Sequence, residues 1–259
     1  MGGSLTAGMT ITAALAAAVM STGAAQAKAP EANTSRLCRS YQHMVVQHRR
    51  AHYVVRNDNF GHFAECLTNR NTSPNFAVTS SGAHGGVTEP VAFPNIFAGC
   101  SWGICSPHTR LPLRVSKIKS LVTTWQTNTK AKGIWGAGYD IWFARRPVIS
   151  GQNGGAELMI WLNSRGFGSG AWPVVTVDHQ KWHLEHWVTH GHGKKWNYIQ
   201  FRRVKPTSKV TGLNVREFIA AAERHGLMKS DWWLTSVEAG FEIWRGGVGL
   251  ATTQFSVHL

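Results

Sequence analysis

Short segments rich in β-branched and aromatic residues recur from residue 53 to the end of the chain, separated by Gly, Asn and Pro. Their length and spacing are typical of strands that pair with close neighbours. The segments of this character are "YVVRN", "FAVTS", "LVTTWQT", "YDIWFA", "ELMIWL", "PVVTV", "WHLEHWV", "WNYIQFRRV", "LTSVEAGFEIW" and "TQFSVHL". This pattern predicts an all-β fold, a β-jelly-roll sandwich of two antiparallel sheets.

One helix is expected among these strands, over "VREFIAAAERH" at residues 215–225. Asn214 is a typical N-cap residue, and Glu217 three positions later completes a capping box. Gly226 suits the C-terminal cap, where a left-handed backbone is common. The apolar stripe consists of Val215, Phe218, Ile219 and Ala222. We expect this helix to brace the sandwich and to carry no chemistry.

The first residues are typical of an exported protein. Residues 1–27 contain no charged side chain and end in Ala25-Gln26-Ala27, a small-x-small cleavage pattern. We therefore predict a signal peptide over residues 1–27, a linker over 28–36 and one domain over 37–259. The apolar run is too short to span a bilayer, so we expect a secreted, extracellular protein with no membrane partner.

Four cysteines in an exported chain predict two disulfides, for which three pairings are possible. Cys100 and Cys105 bracket the short segment "SWGI" and are close enough to close a loop. That pairing leaves Cys38 to bond with Cys66. A metal site is the alternative, but the C-x4-C spacing has no second close pair, so we expect no metal and no cofactor.

The formal net charge is +14, with 27 basic and 13 acidic side chains. Such a charge suits nucleic acids or other polyanions. The basic residues, however, occur as scattered pairs, and no nucleic-acid-binding motif surrounds them. We therefore expect no nucleic-acid partner.

Three predicted strands place a carboxylate and an indole on the same side, because side chains alternate between the two faces of a strand. The opposite side of each strand is aliphatic or aromatic and suits a core. The residues on the carboxylate side are Asp140 and Trp142; Glu157, Met159 and Trp161; and Glu242 and Trp244. For one strand, an ordinary salt-bridged surface is the simpler explanation, but three such strands indicate a shared site.

Indoles beside carboxylates indicate a sugar site. Flat aromatic rings stack on pyranose rings, and paired carboxylates cleave glycosidic bonds. The chain has 12 Trp residues, of which we assign roughly half to the core. The carboxylate side is therefore expected to be an open, partly hydrated substrate cleft.

These segments resemble glycoside hydrolase family 12, the compact jelly-roll endoglucanases. The resemblance rests on "YDIWF", "ELMIWL", "SVEAGFEIWRGGVGL", the closing "FSV" and "GCSWGICSP", in the family's order. It implies that Glu157 is the nucleophile, Glu242 the general acid/base and Asp140 the residue that orients Glu157. A retaining mechanism requires carboxyl groups about 5–5.5 Å apart, with a higher pKa on the acid than on the nucleophile.

Further substrate contacts are expected from residues beside these carboxylates. Phe60, in "NDNFG", occupies the place where the family usually has a stacking Trp, which leaves the preferred polysaccharide open. Trp102 and Trp161 are stacking candidates, and Met159 is expected under the sugar ring. Glu238 lies on the face of Glu242, where it would bond a sugar hydroxyl at an outer subsite or remain a solvated surface glutamate.

The expected function is therefore a secreted, monomeric, retaining endo-β-1,4-glucanase, or cellulase, whose partner is a β-glucan: cellulose, mixed-linkage glucan or xyloglucan. A non-catalytic jelly-roll carbohydrate-binding protein is the alternative from another class. A xyloglucan-specific endoglucanase is the alternative within the family.

Overall fold

The computed structural model describes Met1 and residues 33–150, 154–168, 170, 172–191 and 193–259. These residues form two β-sheets and one α-helix, α1, Val215–Arg224. The strands are β1 Thr34–Leu37, β2 His43–His48, β3 Ala51–Arg56, β4 Glu65–Arg70, β5 Phe76–Ser81, β6 Asn95–Ser101, β7 Ile104–Cys105, β8 Leu113–Arg114, β9 Val122–Asn128, β10 Gly133–Ala144, β11 Gly154–Arg165, β12 Val174–Val177, β13 Gln180–Gly191, β14 Lys194–Arg203, β15 Lys209–Asn214, β16 Trp233–Gly246 and β17 Ala251–His258.

The smaller sheet has the strand order β1-β4-β5-β17-β9-β15. The larger sheet has the order β12-β13-β14-β11-β10-β16-β6-β3-β2, with β7 paired to β6 and β8 paired to β16. Pairing is antiparallel except between β11 and β14, which run parallel. The parallel pair arises because the chain passes from β11 to the edge strand β12 and returns through β13 to β14, beside β11. The predicted jelly-roll sandwich is confirmed, with this one parallel pair as an addition.

Aromatic rings from the two sheets meet in the core between them. Trp125 on β9 contacts Tyr139 on β10 and Phe241 on β16, with ring centroids 5.3 and 5.8 Å apart. Phe255 on β17 packs against Tyr53 on β3 at 5.1 Å. These contacts leave the other side of the larger sheet, which we call the cleft face, turned away from the core.

Each segment that the sequence predicted as a strand overlaps an observed strand. The sequence patterns missed β1, β2, β4, β6 and β15, together with the two-residue strands β7 and β8. Strand β6 was missed because nearly all its residues are buried, so it lacks the alternation of a half-exposed strand. Strand β1 also corrects the predicted linker, because residues 34–36 pair with β4.

The helix begins at Val215 as predicted, ends at Arg224, one residue before the predicted end, and braces the sandwich. Phe218 packs against Trp182 and Phe201, with ring centroids 4.9 and 5.3 Å apart. The capping-box prediction is wrong in detail, because the Asn214 side chain makes no cap hydrogen bond. The carboxylate of Asp178 accepts the Asn214 backbone N–H instead, at 3.1 Å. Gly226, at φ +70°, follows the last turn as expected.

The signal peptide predicted over residues 1–27 lies outside the described residues apart from Met1, as does the linker up to residue 32. Within the described part of the chain, no helix is both long and apolar enough to cross a membrane. Both predicted disulfides are present, Cys38–Cys66 and Cys100–Cys105.

The two disulfides should differ in their contribution to stability, because they close loops of different length. The bonded cysteines are 28 residues apart in Cys38–Cys66 and 5 apart in Cys100–Cys105. The chain-entropy relation assigns about 3.5 kcal/mol to the longer loop and about 2 kcal/mol to the shorter. We expect the Cys38→Ser/Cys66→Ser variant to lose more free energy of unfolding than Cys100→Ser/Cys105→Ser, as measured by urea denaturation. Equal losses would contradict this order.

Candidate active site

The central strands of the larger sheet separate their side chains as the alternation predicted. Leu158 and Ile160 on β11 and Phe241 on β16 lie in the core between the sheets. Met159, Trp161 and Trp244 form a separate apolar cluster on the cleft face. The cleft face therefore carries the predicted combination of carboxylates and aromatic side chains.

Three carboxylates lie on the cleft face of the adjacent strands β11, β10 and β16. Asp140 is 8% exposed, whereas Glu157 and Glu242 are partly buried. Across the β10–β11 pair, Glu157 lies opposite Trp142, and Asp140 lies opposite Met159. The strands therefore bring the three predicted catalytic side chains onto one surface.

Glu157 is held by a residue that the sequence analysis did not identify. The indole N–H of Trp196 donates a hydrogen bond of 2.6 Å to Oε2 of Glu157. Trp196 lies on β14, whose parallel pairing with β11 places Tyr198 directly opposite Glu157. The ring of Trp196 also contacts that of Trp142 at 5.9 Å. The indole of Trp196 thus fixes the position of this carboxylate, and Trp142 packs against that indole.

Asp140 does not hydrogen-bond Glu157, which corrects the prediction that it orients the nucleophile directly. Its Oδ2 accepts a hydrogen bond of 2.9 Å from the indole of Trp142. Its Oδ1 is buried and has no hydrogen-bond partner among the described residues. Trp196, and not Asp140, supplies the hydrogen bond that orients the Glu157 carboxylate.

Burial and mutual repulsion raise the pKa of each carboxyl in this group. Burial and the neighbouring charge of Glu157 raise the pKa of Glu242 to about 8. The indole of Trp161 offsets part of this rise, although its N–H does not reach hydrogen-bond geometry. Burial raises the pKa of Glu157 to about 7, against the opposing hydrogen bond from Trp196. Burial, followed by the surrounding carboxylates, raises the pKa of Asp140 well above its usual value.

Glu238 lies on the predicted face of β16, but it is not exposed to solvent or substrate as the sequence suggested. It is 1% exposed, so it is neither a solvated surface residue nor open to a sugar hydroxyl. Oε2 of Glu238 lies 3.4 Å from the guanidinium of Arg56 on β3, which also pairs with Asp58 at 2.7 Å. Glu238 is instead a buried, ion-paired member of the carboxylate group.

Met159, Trp161 and Trp244 form the floor of the cleft and do not present open stacking surfaces. Trp161 and Trp244 are each 5% exposed. Phe167 covers both, at centroid distances of 5.3 and 4.7 Å. Trp161 lies flat against β10 because Gly136 and Gly138 leave room for it. A Cβ atom at these two glycines would lie 2.7 and 2.6 Å from the indole.

Exposed aromatic side chains lie on both sides of the carboxylates. Trp102, between Cys100 and Cys105, and Trp142 line the same small cavity, of about 20 Å³. Phe60 is exposed in the loop after β3, as expected of a stacking residue. On the other side, the exposed ring of Trp187 stacks on Tyr198 at 4.2 Å. No sequence pattern indicated this last pair.

The described residues contain no group of three or more His, Cys, Asp or Glu side chains that is placed to hold a metal ion. His183 pairs opposite Arg202 and His186 opposite Ile199, on the two faces of β13. His192 lies outside the described residues. The cleft face offers carboxyl groups for chemistry: an acid with a raised pKa, Glu242, and a carboxylate held by an indole, Glu157.

Known proteins are similar to this chain in sequence. The sequence model of "Glycosyl hydrolase family 12" matches residues 52–259. Endoglucanase S of Pectobacterium parmentieri is 28% identical over 172 residues, which span 64% of this chain and 65% of that protein. A probable cellulase, Cel12b, of Mycobacterium tuberculosis is 32% identical over 152 residues, 57% of this chain and 96% of that protein.

A solved structure of a metagenome-derived glycoside hydrolase family 12 endoglucanase superposes with a TM-score of 0.80. It is 35% identical, and the superposition covers 88% of this chain and 98% of that chain. The similarity therefore extends over both sheets.

Replacement of Trp196 by Phe should raise the pKa of Glu157 above about 7, because it removes a hydrogen bond that stabilises the carboxylate. Hydrogen bonds to charged groups contribute roughly 1.5–3 kcal/mol, so we expect a rise of about one to two pKa units. Carbon-13 NMR titration of the glutamate carboxyls measures it. Trp182→Phe is the matched control, because that indole donates to the Val177 carbonyl in the core. An equal pKa in Trp196→Phe and wild type would show that Trp196 does not hold the carboxylate.

Proposed function

The chain belongs to glycosyl hydrolase family 12, and we propose from this that it is an endo-β-1,4-glucanase of the cellulase type. The observation that carries the proposal is the pair of carboxyls on β11 and β16, Glu157 and Glu242, on one face and with unequal, raised pKa values. Such a pair suits a reaction that needs one carboxylate and one carboxylic acid near neutral pH.

In the proposed mechanism Glu157 is the nucleophile and Glu242 the general acid/base. Protonated Glu242 donates its proton to the glycosidic oxygen while a carboxylate oxygen of Glu157 bonds to the anomeric carbon. The leaving chain departs as an alcohol. Glu242 then takes a proton from water, which displaces Glu157 and releases the sugar with net retention.

The different surroundings of the two carboxyls support these roles. Glu157 accepts the indole N–H of Trp196, which favours its ionised form. Oε2 of Glu242 is buried without a hydrogen-bond partner among the described residues, which favours its protonated form. Burial raises the pKa of both groups. The neighbouring charge of Glu157 raises the pKa of Glu242 further, which suits a proton donor, whereas the Trp196 hydrogen bond lowers the pKa of Glu157, which suits a nucleophile.

The aromatic side chains on both sides of the carboxylates favour cleavage within a chain. Trp102 and Trp187 are both exposed, on opposite sides of the carboxylate group. A glucan that stacks on both extends past the scissile bond in both directions, as attack on internal bonds requires.

A β-glucan is the proposed partner, and the relatives named above favour a cellulase over a xyloglucan-specific enzyme. Both curated relatives carry endoglucanase or cellulase names. A non-catalytic sugar-binding protein is disfavoured, because closely spaced buried carboxylates cost stability that sugar binding alone does not require. Export is proposed as well, since two disulfides suit an oxidising compartment.

Hydrolysis of defined polysaccharides tests the proposed activity. We expect the purified chain to release reducing ends from carboxymethyl cellulose and mixed-linkage glucan, with a rapid fall in viscosity that indicates internal cleavage. Xyloglucan should be a poorer substrate, and xylan serves as the negative control. Binding of β-glucan without any release of reducing ends would establish the carbohydrate-binding alternative instead.

Azide should distinguish the roles of the two glutamates, with an aryl β-cellobioside that carries a good leaving group as substrate. In Glu242→Ala, Glu157 still forms the glycosyl-enzyme, but water lacks its general base, so the intermediate accumulates. Azide needs no base, and it should restore turnover and give the β-glycosyl azide. In Glu157→Ala, azide should attack the anomeric carbon directly and give the α-azide.

Product stereochemistry by proton NMR decides the assignment, with Glu185→Ala, a carboxylate elsewhere on the cleft face, as the control. Exchanged stereochemistry between the two variants would reverse the roles of Glu157 and Glu242. Wild-type rates in both variants would place the catalytic site elsewhere.

A further inference from the structure

Glu238 is a buried carboxylate that the proposed mechanism does not use. It lies directly opposite Asp140 across the β10–β16 pair, on the cleft face. Side chains opposite each other on antiparallel strands have Cβ atoms roughly 5 Å apart. Because Glu238 is 1% exposed, its charge acts on Asp140 with little screening by water.

Glu238 is the best compensated of the buried carboxylates in this group. Its Oε1 accepts the Ser236 hydroxyl at 2.9 Å, and its Oε2 lies 3.4 Å from the guanidinium of Arg56. Arg56 is fixed in turn by Asp58 at 2.7 Å and by the ring of Phe97, 5.5 Å from the guanidinium carbon. Burial raises the pKa of Glu238, and these two contacts act against that rise and favour its ionised form.

Asp140 has no such compensation. Glu157, Glu238 and Glu242 all act on it, and each of them disfavours its ionised form. Tyr198, from β14, interacts with Glu157, Glu242 and Asp140 and brings no positive charge. The only hydrogen bond to Asp140 among the described residues is the neutral indole of Trp142 at Oδ2. Oδ1 is thus the atom left to carry a proton.

We propose that Glu238 is a positioning residue whose fixed negative charge keeps a proton on Oδ1 of Asp140 and thereby leaves the neighbouring Glu157 ionised for attack. Asp140 and Glu157 compete for one proton. The charge of Glu238 raises the pKa of both groups, but Glu238 lies directly opposite Asp140 and one strand further from Glu157, so it favours the proton on Asp140. The proposal rests on the proposed function in that Glu157 is the nucleophile. It gives Glu238 no contact with substrate.

Glu238→Gln keeps the shape of the side chain and removes its charge, so it tests the proposal directly. Glu238 acts on both Asp140 and Glu157, so its loss should lower the pH at which this pair takes up a second proton, and we expect the acid limb of the kcat/KM profile to move down by about one pH unit. The basic limb, set by Glu242, should stay in place. The plateau kcat should fall several-fold, because the shared proton then spends more time on Glu157, while KM stays near the wild-type value.

Glu185→Gln is the matched control. Glu185 lies in the same cross-strand row as Asp140, through Gln200 and Met159, and its carboxylate pairs with Arg202 at 3.6 Å. It is three strands from Asp140, on the order of 14 Å at about 4.8 Å per strand, so its charge is screened. We expect the acid limb of the kcat/KM profile of Glu185→Gln to match that of the wild-type chain. An unmoved acid limb in Glu238→Gln, or an equal shift in both variants, would overturn the proposal.

A second measurement decides the question on the unaltered chain, even if Glu238→Gln folds poorly. Carbon-13 NMR of aspartate carboxyls, with Asp140 assigned by the signal lost in Asp140→Asn, should show Asp140 protonated at neutral pH. An ionised Asp140 at neutral pH would refute the proposal. If the wild-type chain hydrolyses no β-glucan, the proposed function fails, and this titration still locates the proton.

Discussion

Repulsion among carboxylates on one face of the larger sheet is the constraint to which the rest of the cleft responds. Asp140 and Glu238 are opposite each other on neighbouring strands, and Glu157 and Glu242 both act on Asp140. In a low-dielectric site these charges would repel strongly if all were ionised. The site is stable only if some carboxyls carry protons and the others receive hydrogen bonds or a cation. The compensation available to each carboxyl therefore determines its chemical role.

Indole N–H groups provide most of that compensation, and they distribute it unevenly. Trp196 donates to Glu157, and Trp142 donates to Asp140. An indole stabilises an anion without adding a charge, so it lowers the pKa of its partner with little effect on the next carboxyl. Glu242 lacks such a bond at Oε2 and keeps the higher pKa. The lower pKa of Glu157 relative to Glu242 thus follows from the hydrogen bond that Trp196, on β14, donates to Glu157.

Local sequence patterns predicted the part of the site that depends on alternation within a strand. The order carboxylate-x-indole on β10 and β16 placed Asp140 and Glu242 on the cleft face. Trp196 could not be predicted in this way, because its contact with Glu157 depends on the parallel pairing of β14 with β11, strands that are not consecutive. The alternation predicted the correct face of the sheet for Glu238 but did not predict that its side chain is buried. Its partner Arg56 is 182 residues away in the sequence, and periodicity carries no information on such a pairing.

The excess of basic side chains in the chain does not take the place of the local hydrogen bonds and the ion pair that stabilise the buried carboxylates. The chain carries 27 basic and 13 acidic residues, yet Arg56 is the one cation that forms an ion pair with this carboxylate group among the described residues. Exposed charges more than about 8 Å away are largely screened at physiological ionic strength. A buried arginine keeps its effect on Glu238 because protein surrounds both groups. The protonation state of the cleft is therefore set by a few buried contacts, and the net charge of the surface is free to vary without changing it.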